Sequence, residues 1–287
     1  MNQGVARKIA MLAAGAALLG GGAGFARAQG NMGQPATPPT EKGKPAEVAP
    51  LTLDETPPPV NAEEDAAMKE FRDSPNTDLT KKEQTGEGFL VKYPQSRYRQ
   101  EMYLFLVEAY LNTGQVDKME AVGDKELELN PNDAPTLAVV GSSLARSVTA
   151  NTPNAQKRWD KADQYCKKAL EILPTIVKPA AATDEKFALA KNQAAALAYS
   201  GIGVVAFRRG KYADAISNLE QSVRTDPMPD PVNYYLLGMA NQKSAHYEDA
   251  VAAFTKCAAA PGGLQSTCKT GMDEAKKLAA TQMSAPK

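Results

Sequence analysis

Apolar and polar positions alternate with a helical period through most of the chain. From about Asp65 onward, amphipathic stretches follow one another, and Pro or Gly closes them, as helix ends require. Long β-branched runs and the Asn-Gly or Asp-Gly dipeptides of tight hairpins are nearly absent over the same region. The pattern therefore predicts a fold built from α-helices.

Two stretches near the C-terminal end repeat one another at an offset of 35 residues, the distance from Gly203 to Gly238. A fixed period of about 20 to 50 residues indicates stacked supersecondary units rather than one globular core. Chains of this kind usually bind other chains. The residue pairs that carry the repeat are Gly203 and Gly238, Tyr212 and Tyr247, and Ala215 and Ala250.

The two units resemble tetratricopeptide repeats, in which each unit is a pair of antiparallel helices of about 34 residues. The resemblance implies that the glycine of each unit lies where its two helices cross most closely. It also implies that the alanine is the matching small residue on the second helix and that the tyrosine begins that helix. We therefore expect an all-α, tetratricopeptide-type solenoid, coiled as a right-handed superhelix and closed by a C-terminal capping helix.

The same template extends upstream and predicts a longer, interrupted array. The distance from Gly141 to Gly203 is 62 residues, so an insert precedes the third unit. The sequence of that insert predicts a helix with Thr183 as its N-cap. A second group of extra residues, at 150–157, lengthens the turn within the second unit. The predicted divisions are a signal peptide at 1–28, a Pro-rich disordered linker at 29–61, a degenerate N-terminal hairpin at 62–97, and an array at 98–282 with units at about 100–133, 134–174, 183–229 and 231–262 and a capping helix at 264–282.

The N-terminal segment has the layout of a secretory signal peptide. Arg7 and Lys8 form a basic region, residues 9–25 are an uncharged run rich in Ala, Leu and Gly, and residues 26–28 form a small-x-small cleavage site. A retained membrane anchor is the alternative, but the run is short and only weakly apolar for a stable span. We expect cleavage after Ala28 and a mature protein in the periplasm or outside the cell, without stable membrane insertion.

Residues 29–59 carry eight prolines in 31 positions and have almost no apolar periodicity. Such a segment cannot bury enough apolar surface to offset the entropy lost on ordering. We interpret it as a flexible linker, either a tether that holds the folded part away from a surface or a plain disordered tail.

Charge and residue content argue against catalysis and nucleic-acid binding. The precursor has 33 basic and 33 acidic residues; loss of the three basic residues within 1–28 leaves 30 against 33, or −3. This balance gives no basic footprint for nucleic acid. One His, at 246, and the absence of phosphate-loop, nucleophile-elbow or zinc spacings leave no catalytic, cofactor or metal site to assign.

The cysteines suggest one covalent constraint. Cys257 and Cys268 flank the Pro261 turn nearly symmetrically, and in an antiparallel hairpin such residues face each other. An oxidising compartment would favour a disulfide between them. The alternative is a small core residue at Cys257 and a surface thiol at Cys268, whereas Cys166 is expected to be an inert buried thiol.

The resemblance implies that a partner binds on the concave face, which the first helix of each unit lines in this family. A column read from the register holds one polar and three basic residues, and two tyrosines lie near the same face. Such a groove would favour acidic or C-terminal carboxylate groups; ordinary solvated helix surface is the alternative. The candidate groove residues are Tyr103, Asn112, Arg146, Arg208, Tyr235 and Lys243.

Three functions are compatible with these features. The first is a non-enzymatic scaffold or adaptor in the periplasm that binds other proteins or peptides. The second is a component of outer-membrane or cell-wall assembly, because the Tyr-Pro-x-Ser-x-Tyr segment at 93–98 resembles those of repeat proteins in outer-membrane assembly. The third is an enzyme or an enzyme-regulating module, which no residues in the sequence support.

Overall fold

A computed structural model describes residues 61–74, 79–180 and 182–284. The predicted signal peptide and nearly all of the predicted linker lie outside these residues. Within the described residues there are no β-strands, and the short 3-10 helix Leu173–Thr175 follows the sixth α-helix. The α-helices are α1 Ala62–Asp73, α2 Leu79–Lys92, α3 Arg99–Asn112, α4 Val116–Leu129, α5 Ala134–Ser147, α6 Ala155–Ile172, α7 Asp184–Arg208, α8 Tyr212–Thr225, α9 Pro231–Lys243, α10 Tyr247–Ala259 and α11 Gln265–Ser284.

Short connections join the helices into hairpins that stack in chain order. The pairs α3–α4, α5–α6, α7–α8 and α9–α10 each pack together, and each pair packs on the next. Buried apolar residues form successive clusters along the stack rather than one central core. The structure thus confirms the predicted all-α solenoid of helical hairpins, with α11 packed on α10 at its C-terminal end.

The helices of a hairpin approach most closely at the glycines of the repeat. A Cβ atom on Gly203 would lie 2.8 Å from Cγ and 3.2 Å from the backbone nitrogen of Leu219 on α8. In the next unit, a Cβ atom on Gly238 would lie 2.8 Å from the ring of Phe254 on α10. The helix spacing in both units therefore depends on a residue without a side chain.

The turns within the hairpins share a left-handed residue. Gly114 and Gly210 have φ angles of 71° and 72° at the turns after α3 and α7. Ala245 holds the equivalent place after α9 with a φ of 58°. The backbone of this turn is kept even where glycine, which adopts it without steric cost, is absent.

The third unit begins with an unusually long helix. α7 has 25 residues, and the side chain of Thr183 accepts a hydrogen bond from the backbone nitrogen of Lys186 at its start. The predicted N-cap is therefore confirmed. In the second unit, the enlarged connection between α5 and α6 is held by Trp159, whose Nε1 donates to the carbonyl of Val148 at 3.0 Å.

The 93–98 segment attaches α1 to the array. Ser96 Oγ donates to Glu64 at 2.7 Å in a buried contact, and the hydroxyl of Tyr98 donates to Asp65 at 2.8 Å. Met68 of α1 is fully buried in the first apolar cluster. The segment that suggested an outer-membrane assembly role thus has a structural task within this fold.

The C-terminal helix is fixed to the last repeat at two points. Cys257 and Cys268 form a disulfide between α10 and α11, with a Cα–Cα distance of 5.8 Å, inside the usual range. The ring of Phe254 lies between two glycines, because Cβ atoms on Gly238 and Gly271 would each come within 2.8 Å of it. α11 therefore closes the apolar end of the stack.

Replacing Gly203 with Ala should lower the free energy of unfolding by about 1–3 kcal/mol, because the new methyl group overpacks against Leu219. The matched control is Gly88→Ala, where a Cβ atom meets nothing within 4 Å on α2. That control should leave stability unchanged or raise it by up to about 1 kcal/mol through helix propensity. Urea unfolding of both variants measures the difference, and equal effects would contradict the close crossing.

Peptide mapping under non-reducing conditions should recover Cys257 linked to Cys268 in protein made in an oxidising compartment. Cys166, fully buried, should react with a thiol reagent only after unfolding. Cys257→Ser together with Cys268→Ser should lower the free energy of unfolding by about 2–3 kcal/mol, as expected for a short loop. Recovery of both thiols free would rule out the bridge.

Candidate partner-binding groove

Two cavities meet on the side of the array lined by α3, α5, α7 and α9. The larger, of about 700 Å³, is lined mainly by apolar and aromatic side chains, among them Trp159, Phe207 and Tyr235, and we name it the aromatic cavity. The smaller, of about 300 Å³, is the polar cavity. Its lining includes Gln193, Ser222, Asp226, Asp230 and Asn233.

Leu111, Ser143 and Arg146 line both cavities, so the two form one groove. Leu111 belongs to the first regular hairpin, whereas Pro261 and Leu264, which line the polar and aromatic cavities respectively, follow the last one. Residues from both ends of the array thus border the same groove. The superhelix is tightly curved at this point.

Arg146 lies at the centre of the groove and is bound within the chain. Its Nη1 contacts Oδ2 of Asp230 at 2.5 Å, and its Nη2 donates to Ser200 Oγ and Asn233 Oδ1, both at 3.0 Å. Only 17% of the Arg146 side chain and 24% of the Asp230 side chain are exposed. One side chain of the second unit therefore holds α7 of the third unit and the start of α9 in the fourth.

The hydrogen bonds continue from Arg146 into the interior. Ser200 Oγ donates to Asn233 Oδ1 at 2.7 Å, and Asn233 Nδ2 donates to Ser222 Oγ at 3.0 Å. Ser222 Oγ in turn donates to the carbonyl of Ala196 at 2.8 Å. This Arg146 network joins α5, α7, α8 and α9 through buried polar groups that hydrogen-bond to one another, although the Nε of Arg146 has no acceptor.

Arg208 has a different internal role. Its Nε donates to the carbonyl of Ala145 at 2.9 Å and its Nη2 to the carbonyl of Arg146 at 2.7 Å. These carbonyls belong to the last turn of α5, where the helix dipole favours a cation. Burial lowers the pKa of this guanidinium below its usual value.

In the structure, the predicted column of one polar and three basic residues falls into two groups. Arg146 and Arg208 line the groove, but their hydrogen bonds go to the chain itself. Asn112 and Lys243 are exposed and line neither cavity. These contacts do not leave the mixed groove with a basic side that the register suggested, because the superhelix turns Arg146 and Arg208 inward.

The two predicted tyrosines also differ. Tyr235 lines the aromatic cavity, whereas Tyr103 is half-buried on α3 and lines neither cavity. Sequence reasoning missed Asp230, although Asp230-Pro231 is a helix-start signal. Oδ1 of Asp230 accepts from the backbone nitrogen of Val232 at 2.9 Å and caps α9, while Oδ2 receives Arg146. The N-cap role of Asp230 can be predicted from the sequence, whereas its ion pair with Arg146, 84 residues away, cannot.

A third cavity, of about 980 Å³, lies between α4, α6 and the connection before α6. Several of its charged residues form ion pairs. Arg158 contacts Glu120 at 2.7 Å and Asp117 at 2.8 Å, and Lys161 contacts Glu120 at 2.9 Å and Asp124 at 2.5 Å. Because these charges are paired and most of its lining residues are polar or charged, this cavity is a weaker candidate for a partner than the groove.

Metal-binding geometry is not found among the described residues, where no group of three or more His, Cys, Asp or Glu could hold an ion. The predicted inert thiol, Cys166, is fully buried beside Gly141 and Gly201, and burial raises its pKa, which keeps it protonated. In the part of the chain that the structure describes, no helix has the length and apolarity needed to cross a membrane.

Residues 232–260, which cover nearly all of α9 and the whole of α10, match the family model described as tetratricopeptide repeat. They coincide with the hairpin whose glycine, alanine and tyrosine carry the internal repeat. This hairpin is a tetratricopeptide repeat. No match was found among curated protein sequences.

Several solved structures are similar to this chain at 16% identity. The MamA RS-1 ArsTM double mutant covers 78% of this chain and 99% of its own, with a TM-score of 0.49. PilW, a type IV pilus biogenesis factor, covers 77% and 93% with a TM-score of 0.48. A thermophilic tetratricopeptide repeat protein of Thermus thermophilus covers 74% and 96% with a TM-score of 0.46.

Replacing Arg146 with Met should lower the free energy of unfolding by about 1–3 kcal/mol, because Asp230 and Asn233 lose a half-buried partner. Lys243→Met, the same change at an exposed site, should shift it by less than about 0.5 kcal/mol. Asp230→Asn, which keeps a good N-cap residue, should cost less in the Arg146→Met background than in the native chain. Additive effects in urea unfolding would show that the two residues act independently.

Proposed function

We propose that this protein is a non-enzymatic scaffold that binds a segment of another protein in the groove formed by the aromatic and polar cavities. The observation that carries the proposal is the aromatic cavity, in which Trp159, Phe207, Tyr235 and Leu236 from three hairpins border one space of about 700 Å³. Large apolar side chains that converge on a concave site are typical of binding rather than of surface solvation.

The groove has the shape and chemistry for a short partner segment. Aromatic side chains supply contact area at low cost in conformational entropy and dominate the energy of many interfaces. The Arg146 network holds the inner helices in place, so the groove is preorganised and the partner bears most of the ordering cost. A segment of a few residues that inserts one or two apolar side chains fits a space of this size.

We further propose that this binding takes place in the periplasm or outside the cell. Support comes from the sequence of residues 1–28, with the basic Arg7 and Lys8 and the small residues before the expected cleavage after Ala28. The disulfide between Cys257 and Cys268 is of a kind that persists in an oxidising compartment. Outer-membrane or cell-wall assembly is not proposed as the specific process, because the 93–98 segment that suggested it binds α1.

A photo-crosslinking amino acid in place of Tyr235 should capture a discrete protein partner in intact cells of the source organism. The same group in place of Glu220, which is exposed on α8 and lines neither the aromatic nor the polar cavity, is the matched control and should give little product. The intact mass of the purified chain, expected to begin at Gln29, checks the compartment. Equal crosslinking at both positions, or none at Tyr235, would argue against the groove as the binding site.

A further inference from the structure

The ionisable residues that line the polar cavity are Arg146, Asp226 and Asp230. Arg146 and Asp230 form an ion pair and cancel each other. The third, Asp226, is half-buried, and among the described residues it has no cationic partner. Its Oδ1 accepts a single hydrogen bond, from the backbone nitrogen of Met228 at 3.0 Å. The cavity therefore carries one uncompensated negative charge.

A second carboxylate lies near the same wall. Glu108 is half-buried on α3, one turn before Leu111, which lines the cavity, and within the described part of the chain it has no hydrogen-bond or ion-pair partner. Burial raises the pKa of both Asp226 and Glu108, which reflects the cost of desolvating a carboxylate that no cation compensates. A bound cation would relieve this cost at Asp226.

Two buried polar atoms of residues that line the cavity lack a hydrogen-bond partner, and a cationic peptide could supply both. Oε1 of Gln193 is buried without a hydrogen-bond donor, so an N–H group would satisfy it. Nε of Arg146 is buried without an acceptor, which a backbone carbonyl of an extended partner would supply. A peptide that brings a cationic side chain and its own main chain satisfies both atoms.

The remaining walls are apolar. Leu111, Leu197, Pro229 and Pro261 surround the cavity, and Met228 lies at its edge with 78% of its surface exposed. Long cationic side chains bury their methylene stem against such walls and place the charged head among acceptors. A volume of about 300 Å³ is at the small end for ligand sites, which suits one side chain rather than a helix.

We propose that the polar cavity receives a lysine or arginine side chain of the bound partner segment, with its cationic head at Asp226 and Gln193 and its stem against Leu197 and Pro229. The proposal rests on the groove being the partner-binding site. It reverses the acidic preference expected from the basic column, because the arginines that suggested that preference are bound within the chain and the free charge is a carboxylate.

Selection of a displayed library of random nine-residue peptides on the full chain tests this assignment. The enriched peptides should share a lysine or arginine at a fixed position next to apolar residues, and their sequences will show which cation is preferred. Asp226→Asn keeps the shape and the acceptor for Met228. It should bind an enriched peptide about fivefold more weakly or worse and should no longer distinguish that peptide from its version with Gln at the basic position.

Glu220→Gln is the matched control, because it removes one carboxylate from the outer part of α8 and should leave the affinity unchanged. Enriched peptides that are neutral or acidic, or an Asp226→Asn variant that keeps the preference for a cation, would overturn the assignment. Failure to enrich any peptide whose binding depends on Tyr235 would instead count against the groove as the binding site. Circular dichroism of each variant confirms that the fold is retained.

Discussion

The groove depends on a single guanidinium that is mostly removed from water. A charge in this position is costly unless it is paired and hydrogen-bonded, so Arg146 requires Asp230, Ser200 and Asn233 to stay where they are. These partners belong to the third and fourth hairpins, and the third begins with the elongated α7 after an insert. Nearest-neighbour packing alone would let such an insert alter the curvature of a solenoid. The Arg146 network fixes the relation between second and fourth hairpins directly.

The contacts of Arg146 and Arg208 within the chain determine which charged groups in the groove can bind a partner. Two arginines that would otherwise offer an acidic segment a bidentate contact are held by Asp230 and by the last carbonyls of α5. Once these cations are engaged, Asp226 is the charge in the polar cavity that the fold does not compensate. Stability and recognition are therefore linked in this groove: the interactions that hold the superhelix closed also set the sign of charge that it can accept.

The features that sequence predicted correctly are local, and those it missed depend on accumulated curvature. Gly203 lies opposite Leu219 and Thr183 caps α7 because each contact involves residues within one hairpin or one turn. Arg146 and Asp230 are 84 residues apart, and their meeting depends on the pitch of the whole array. A register read from one repeat places equivalent residues in a straight column. It cannot show that the superhelix turns some members of that column inward, toward a later unit.

Different interactions attach the terminal helices at the two ends of the array, and residues of the C-terminal connection border the groove. At the N-terminal end, α1 is joined to the array partly through exposed ion pairs such as Arg72 with Glu101, which contribute little because water screens them. At the other end, α11 is held by the Cys257–Cys268 disulfide and by the enclosed ring of Phe254. Leu264 and Pro261, which border the groove, lie between the two bridged cysteines. The wall that the C-terminal cap contributes is thus tied covalently to the last repeat, whereas α1 is held to the array by non-covalent contacts alone.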